Sequence, residues 1–301
     1  MTVSVIVPNY NHEHFLVRRL ESVLQQDYSD MEVIILDDHS TDNSRNVIET
    51  FRNNPRVKQV IYNDVNSGSA FSQWEKGIGL ATGRYLWIAE SDDYCDKNFL
   101  TEAVKKLDSG YDLFYSRSVR IDEKDHVMEN QGRWYEDISK DRWLKSYENS
   151  APDEVKDVLF RKCVINNASA VVFKNEPRIK GYLSRIRGMF YAGDWWFWIM
   201  YLLDSRKLYY SADTTNYFRT HAGVTRLRQP ERRNSEMLRI FRFIFNHPLS
   251  QGNRKALAAY FFDIHIYKGS RRQLGRNCVL AFRMILCSRF FIRPWLRFYF
   301  S

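Results

Sequence analysis

Four short apolar runs recur within the first ninety residues, and the first three are rich in β-branched side chains. They cover 3–7, 33–36, 57–61 and 85–89. This length and composition are typical of strands that are buried on both faces of a sheet. Helix-length segments with an apolar stripe at the 3.6-residue period lie between them, for example 16–24. Strands that alternate with helices predict a parallel sheet, whose ligands bind beyond the carboxyl ends of the strands.

The pattern becomes less regular after residue 110. A further strand is predicted over 166–173 and an aromatic-rich helix over 195–203, and basic, aromatic-rich helical blocks follow over 232–246, 254–267 and 276–292. We therefore predict an α/β fold with a mainly parallel central sheet flanked by helices. The sheet would belong to a domain over 1–231, and 232–301 would form a basic helical extension.

The charge is distributed unevenly along the chain. The net charge is +9, but residues 232–301 hold fourteen Lys and Arg against two Asp and Glu, whereas 1–231 hold 31 basic and 34 acidic residues. A basic segment on a slightly acidic body predicts a surface that meets something anionic.

The four cysteines form no CxxC pair, and the N-terminus lacks the pattern of a secretory signal, so we expect a reducing, cytoplasmic environment.

The loop after the first predicted strand, Pro8-Asn9-Tyr10-Asn11, contains no glycine. A dinucleotide-binding sheet needs GxGxxG at this point, because glycines let the backbone approach a pyrophosphate. No GxxxxGK[ST] sequence occurs elsewhere in the chain. Dinucleotide and P-loop chemistry are therefore both disfavoured.

Carboxylates follow the second and fourth predicted strands. Asp37 and Asp38 end the second strand, where they can bind the base or ribose of a nucleoside or simply form a turn and helix cap. Glu90-Ser91-Asp92-Asp93 follows the fourth strand. Three acids so close together repel one another unless a cation is present, and Mg²⁺ or Mn²⁺ takes such oxygen ligands. A solvated acidic turn is the alternative interpretation.

Three segments in this order, VSVIVPNYN, VIILDDHSTDNS and NSGSAFSQWEKGIGLATGRYLWIAESDDY, closely resemble the N-terminal half of the inverting family 2 glycosyltransferases. The resemblance is strong over roughly the first hundred residues and weaker to about residue 225. It implies the nucleotide-sugar transferase (GT-A) fold. The donor-binding half would cover about 1–110 and the acceptor half about 111–231.

The resemblance also implies roles for individual residues around a UDP-sugar type donor. The nucleotide pocket would be lined by Pro8, Asn9 and Tyr10, with Asp38 on the base. Asp92 would lie near the ribose and the metal, and Asp93 would bind the Mn²⁺ or Mg²⁺ ion that bridges the diphosphate. A cation there offsets the charge that develops on the leaving nucleoside diphosphate.

The chain departs from the family pattern at three places. Glu90 stands where Asp is common and His39 where glycine is common. The usual Arg-Asn pair before the glycine of the third segment is Trp74-Glu75 here. The donor contact by that arginine is lost, and replacement by Lys76 or Arg84 is left open.

Inversion by direct displacement needs a general base that takes the proton from the acceptor hydroxyl. In the family this base is an Asp or Glu ahead of an acceptor-side helix, and Asp194 matches that place, where it can also cap the helix. The stretch 217–225 resembles a later family segment. It offers His221 as a metal or diphosphate ligand and Arg219 as a cation for the leaving group.

The basic extension interleaves arginines with aromatic side chains, as basic amphipathic helices at a membrane interface do. Its most apolar run is shorter than the ~20 residues that a membrane span needs. We predict that 232–301 contacts an anionic membrane surface, with packing onto the domain as the alternative. Nucleic-acid binding is disfavoured by the transferase motifs.

Together these observations predict a divalent-metal-dependent, inverting glycosyltransferase. It would move a sugar to a hydroxyl of a growing surface polysaccharide or lipid-linked glycan at the inner face of the plasma membrane. The alternatives are a sugar-nucleotide nucleotidyltransferase, whose glycine-rich basic loop is missing from PNYN, and an inactive glycan-binding or scaffold protein of the same fold.

Overall fold

The computed structural model describes residues 2–128, 135–221, 230–264, 284–285 and 288–299. Its strands are β1 (Val3–Asn9), β2 (Met31–Asp37), β3 (Val57–Tyr62), β4 (Tyr85–Ile88), β5 (Tyr94–Cys95), β6 (Leu113–Ile121), β7 (Tyr147–Ser150), β8 (Val171–Lys174) and β9 (Lys207–Arg219). Its α-helices are α1 (Glu13–Leu24), α2 (Ser44–Phe51), α3 (Ala70–Leu80), α4 (Phe99–Asp108), α5 (Ala151–Glu154), α6 (Ile179–Ile186), α7 (Gly193–Leu203), α8 (Pro230–Asn246), α9 (Arg254–Phe262) and α10 (Ile292–Tyr299).

The strands form one mixed sheet in the order β3-β2-β1-β4-β8-β6-β9-β5, and β7 pairs with β9 beside this path. The pairings among β3, β2, β1 and β4 are parallel. Strand β8 runs antiparallel to both β4 and β6, and β9 is parallel to β6 but antiparallel to β5 and β7. The predicted α/β fold with a central sheet flanked by helices is confirmed. Its parallel part is the half built from βαβ units, so the whole sheet is mixed rather than mainly parallel.

The four apolar runs of the first ninety residues are the strands β1 to β4. The strand expected over 166–173 is confined to Val171–Lys174, because Ala168–Ala170 forms a 3₁₀ turn before it. The helix expected over 195–203 begins two residues earlier, at Gly193. Local patterning therefore located these elements and missed only their ends.

The buried strands supply two hydrophobic cores, one on each face of the sheet. Successive side chains of a strand point to opposite faces. Ile6 of β1 therefore joins the core beneath α3, α6 and α7, whereas Val5 and Val7 join the core beneath α1 and α4. The carboxyl ends of the strands are held between these two layers.

Helices α8 and α9 pack onto the core beneath α7. Their buried members include Met237, Ile240, Phe241, Phe245 and Phe261. Much of the aromatic content of 232–301 is thus packed onto the body, while the division into 1–231 and 232–301 stays a prediction. Most of the predicted block 276–292 lies outside the described residues. Within the described ranges, no helix combines the length and apolar character needed to cross a bilayer.

Candidate functional site

The loops after β1, β2 and β4 meet at one edge of the sheet, because these parallel strands are neighbours. Asn9 Nδ2 donates to Asp37 Oδ1 (2.8 Å) and to Ser40 Oγ (3.2 Å), which ties the first loop to the second. Asn9 is buried, Pro8 is half-buried and Tyr10 is 46% exposed. Of these three residues, Tyr10 offers the most accessible surface to a ligand.

Asp38 organises the neighbouring loop and is itself buried. Its Oδ1 accepts hydrogen bonds from Asn63 Nδ2 (2.7 Å), from the backbone N–H of Ser67 (2.9 Å) and from Gln73 Nε2 (2.8 Å). Its Oδ2 accepts from Ser67 Oγ (2.7 Å). A carboxylate has about four lone-pair positions, so Oδ2 is the atom of Asp38 with capacity for a nucleotide base.

The acidic loop after β4 combines buried carboxylates with one buried cation. Asp93 is 1% exposed and accepts from Asn167 Nδ2 (2.6 Å) and the backbone N–H of Arg219 (3.0 Å). The guanidinium of Arg19, which is fully buried, lies 4.0 Å from Asp93 Oδ2, and its Nε donates to the carbonyl of Glu90. Asp93 therefore faces inward and is fixed by protein groups.

Mutual repulsion and burial perturb the titration of these acids. Burial raises the pKa of Asp93 to about 6, with the charge of Asp92 adding to the rise and Arg19 opposing it. Burial also raises the pKa of Glu90 well above its ordinary value, and the charges of Asp93 and Asp92 act in the same direction. Buried acids with pKa values shifted in this way, together in one cleft, are typical of functional sites.

Asp92 faces two histidines, and these three side chains could hold a metal ion. Their potential ligand atoms all lie within 4.8 Å of one another. His221 Nε2 is 3.1 Å from Asp92 Oδ2, and His12 Nδ1 is 2.8 Å from Ser91 Oγ. Burial would raise the pKa of Asp92, but His12 and His221 outweigh it and lower that pKa to about 2. Burial lowers the pKa of His12, which favours the neutral imidazole that binds metals.

The candidate base Asp194 lies in the first turn of α7, and its Oδ1 accepts from the backbone N–H of Trp195 (2.8 Å). Its charge contributes to the raised pKa of Glu90, so Asp194 interacts electrostatically with the acidic loop. Gly193 precedes it and packs against the ring of Phe71 at the start of α3. Trp195 and Trp196 are buried.

The remaining sequence candidates have structural partners. Arg219 is 2% exposed, donates to the carbonyls of Asp92 (2.8 Å) and Asp122 (2.7 Å), and pairs with Asp125. Trp74, at the place of the family arginine, is 1% exposed and packs in the core. Arg84 precedes β4, at the opposite edge of the sheet, and pairs with Asp108.

Sequence reasoning did not single out His12 or Arg19. His12 follows the PNYN loop directly, so its position next to a strand end was a usable signal. Arg19 sits on the apolar face of α1 between Leu16 and Leu20, all three of them buried. A basic residue on a buried helix face predicts a buried anion, but the identity of that anion depends on tertiary packing.

The chain resembles known glycosyltransferases in sequence and in fold. The family model described as "Glycosyl transferase family 2" matches residues 4–167, more than half of the chain. "Glycosyltransferase GlyG" of Streptococcus pneumoniae is 32% identical over 124 residues, which are 41% of this chain and 41% of that protein. "Poly(ribitol-phosphate) beta-N-acetylglucosaminyltransferase TarS" of Staphylococcus aureus is 35% identical over 112 residues, which are 36% of this chain and 19% of that protein.

The fold likeness extends further along the chain than these sequence matches. The crystal structure of S. aureus TarS 1-349 in complex with UDP-GlcNAc superposes with a TM-score of 0.71 at 20% identity. The superposition covers 95% of this chain and 81% of that one. By contrast, the chain spans less than half the length of the two relatives matched by sequence.

Proposed function

Because the chain belongs to glycosyl transferase family 2, we propose that it transfers a sugar from a nucleoside diphosphate donor to a hydroxyl of a glycan acceptor. The observation that carries the proposal is the cluster of His12, Asp92 and His221, whose potential ligand atoms all lie within 4.8 Å of one another after the end of β4. Asp194, whose charge acts on Glu90 of the acidic loop, would be the acceptor-side base.

The donor nucleotide would bind across the ends of β1 and β2. Tyr10 is exposed for stacking, and Oδ2 of Asp38 can accept one further hydrogen bond from a base. Pro8 and Asn9 would form the floor of the pocket. A UDP-sugar is the proposed donor class, which agrees with the UDP-GlcNAc complex of TarS.

A divalent cation fits the cluster of His12, Asp92 and His221. One carboxylate and two imidazoles form a mixed oxygen and nitrogen donor set, which suits Mn²⁺ better than Mg²⁺. We therefore assign the metal carboxylate to Asp92 and keep His221 as a ligand. Asp93 is the metal ligand that the sequence suggested. Its oxygens already accept hydrogen bonds from Asn167 and Arg219, so Asp93 would support the site from its buried side rather than bind the ion directly. When bound, the ion would offset the negative charge of the leaving diphosphate.

Asp194 would act as the general base of an inverting displacement. The acceptor oxygen forms a bond to the anomeric carbon while the bond from that carbon to the diphosphate oxygen breaks. The acceptor proton passes to the carboxylate of Asp194, and the electron pair of the broken bond leaves with the diphosphate. The acceptor class is a surface polysaccharide or lipid-linked glycan, in line with the poly(ribitol-phosphate) named for TarS.

The proposed activity can be tested with a panel of nucleotide sugars, Mn²⁺ and glycan acceptors, measuring nucleoside diphosphate release and sugar transfer. Asp194→Asn should reduce transfer to a small residual rate and leave UDP binding intact, whereas Asp92→Asn should weaken Mn²⁺-dependent donor binding. Asp153→Asn, at an exposed acid on α5, is the matched control. Formation of a nucleotide sugar from a nucleoside triphosphate would instead identify a nucleotidyltransferase. Absence of donor binding would favour a scaffold protein.

A membrane contact is proposed for α10 rather than for the whole basic extension. Ile292 and Leu296 are 44% and 42% exposed on this helix, next to the exposed Arg293. Such a basic and apolar surface suits the interface of an anionic bilayer. This contact would hold the enzyme at the cytoplasmic face of the plasma membrane, near lipid-linked acceptors.

Point variants test this contact better than truncation, because α8 and α9 form part of the core. The double variant Ile292→Asp, Leu296→Asp should lose cosedimentation with vesicles that contain phosphatidylglycerol. Leu144→Asp, at an apolar residue that is 50% exposed elsewhere on the surface, should retain it. Equal sedimentation of both variants and the wild type would refute the contact.

A further inference from the structure

We propose that Glu236, on α8, is the positioning residue for the candidate base Asp194. The inference rests on the proposed function, because it assigns Glu236 a role through the base of that reaction. Glu236 is 4% exposed and lies on α8, beyond the residues that the family model matches. Its carboxylate faces the loop that leads into α7.

The carboxylate of Glu236 binds three successive backbone N–H groups of this loop. Oε1 accepts from Phe190 (2.7 Å), and Oε2 accepts from Tyr191 (2.8 Å) and Ala192 (3.0 Å). These N–H groups directly precede α7, where the positive end of the helix dipole also favours an anion. Charge-assisted bonds to three adjacent residues leave the loop little freedom to shift.

The same loop is held at other points as well. Arg232, one turn before Glu236 on α8, donates to the carbonyl of Gly188 (3.2 Å). Ser69 Oγ, just before α3, donates to the carbonyl of Met189 (2.8 Å). The loop is therefore held between the start of α3 and helix α8, and Asp194 lies two residues after Ala192, the last residue that Glu236 binds.

A base must lie within hydrogen-bond reach of the proton that it removes, and a misplacement of about 1 Å can lower a rate about a hundredfold. Glu236 meets neither the acidic loop nor the His12-Asp92-His221 cluster in any described contact. Its effect on catalysis would consequently appear in the turnover of the acceptor rather than in donor or metal binding.

The test compares Glu236→Gln with the wild type in the full chain. Glutamine keeps one acceptor oxygen but places an NH₂ group against backbone N–H donors, so the loop should lose its fixed position. We expect kcat for transfer to fall about tenfold to a hundredfold, with the UDP dissociation constant and Mn²⁺ affinity unchanged. Asp263→Asn, the same chemical change at the other acid of 232–301, is the matched control and should leave kcat unchanged.

A double variant distinguishes positioning from a general structural role. If Glu236 acts through Asp194, adding Glu236→Gln to Asp194→Asn should cause no further loss in the residual single-turnover rate. Losses that multiply in the double variant, or a wild-type kcat for Glu236→Gln, would overturn the inference while leaving the proposed function intact. A wild-type rate for Asp194→Asn alone would overturn both the inference and the proposed function, because Asp194 would then not be the base.

Circular dichroism and urea denaturation show whether Glu236→Gln folds. If it does not, Arg232→Met provides a second test of the inference. The Arg232 side chain is 40% exposed and pairs with Glu236 Oε1 (3.7 Å), so its loss spares the core while releasing both the carbonyl of Gly188 and the carboxylate of Glu236. A smaller fall in kcat that vanishes in the Asp194→Asn background would support the inference. An unchanged kcat would contradict it.

Discussion

Gly193 gives the sharpest test of how the candidate base is seated. A Cβ atom at this position would lie 2.5 Å from Cε2 and 2.7 Å from Cζ of Phe71. Phe71 is 6% exposed, and its ring packs against Trp74 with a centroid separation of 5.1 Å, so it has little room to retreat. Because ordinary contacts begin near 3.4 Å, Gly193→Ala would push the ring and the start of α7 apart by about 1 Å.

This displacement should affect stability and rate together. Overpacking a buried contact costs about 1–3 kcal/mol, and we expect the free energy of unfolding to fall by about that amount in urea titrations. A shift of about 1 Å at the neighbouring Asp194 should lower kcat by at least tenfold and up to about a hundredfold. Sugar transfer under saturating donor and acceptor measures the second effect.

Two variants make the test specific. Gly181→Ala, on α6, adds the same methyl group where no heavy atom lies within 4 Å, and should raise stability by about 0.5–1 kcal/mol through helix propensity with no change in rate. Phe71→Leu removes the ring edge, so Gly193→Ala should cost far less in that background. Wild-type stability and turnover in Gly193→Ala would refute the packing argument.

Three further predictions address the metal cluster, the sheet and the core. His12→Gln should lower Mn²⁺ affinity about tenfold or more by titration calorimetry, and should reduce the preference for Mn²⁺ over Mg²⁺. Burial works to raise the pKa of Asp112, but Lys174 and two backbone N–H groups lower it. The stability that the Asp112 carboxylate contributes is therefore present above about pH 4 and lost as the pH falls below that value. Asp112→Asn should lower the free energy of unfolding by ~2 kcal/mol at pH 7 in urea titrations, and this difference from the wild type should shrink in acid. Trp74→Arg, which restores the residue type usual in the family, should destabilise the fold by ~4 kcal/mol or more, or prevent folding, because it buries an unpaired charge.

Strands β1 to β4 were predictable because their signals are local. Buried parallel strands are apolar along their whole length, so β1 to β4 stand out in the sequence, and each is followed by the loop that carries its polar residues. The order of β8, β6 and β9 in the sheet could not be predicted in this way. It depends on antiparallel pairings between segments far apart in the chain, and short apolar runs do not encode their partners.

The site shows the same division between local and tertiary information. Asp92 and Asp194 were proposed as site residues because the family resemblance gives roles to the positions after the fourth strand and before the acceptor-side helix. The sequence could not show which of Asp92 and Asp93 is the outward carboxylate. This depends on Asn167, in the loop before β8, and on Arg219, at the end of β9, which both bind Asp93. Glu236 was also beyond reach, since nothing near it in sequence indicates the loop that its carboxylate binds.

The insertion of β8 beside β4 has a consequence for biosynthesis. The strands β1 to β4 can pair with one another as soon as the first 88 residues have left the ribosome, but β4 gains its other neighbour only when residue 171 is made. His221, which contacts Asp92, lies 129 residues after it in the chain. The backbone N–H that binds Asp93 comes from Arg219, which is also made late. The acidic loop thus spends much of synthesis with only His12 and Arg19 to offset its charge, and strands β1 to β4 can pair well before His221 completes the candidate metal cluster.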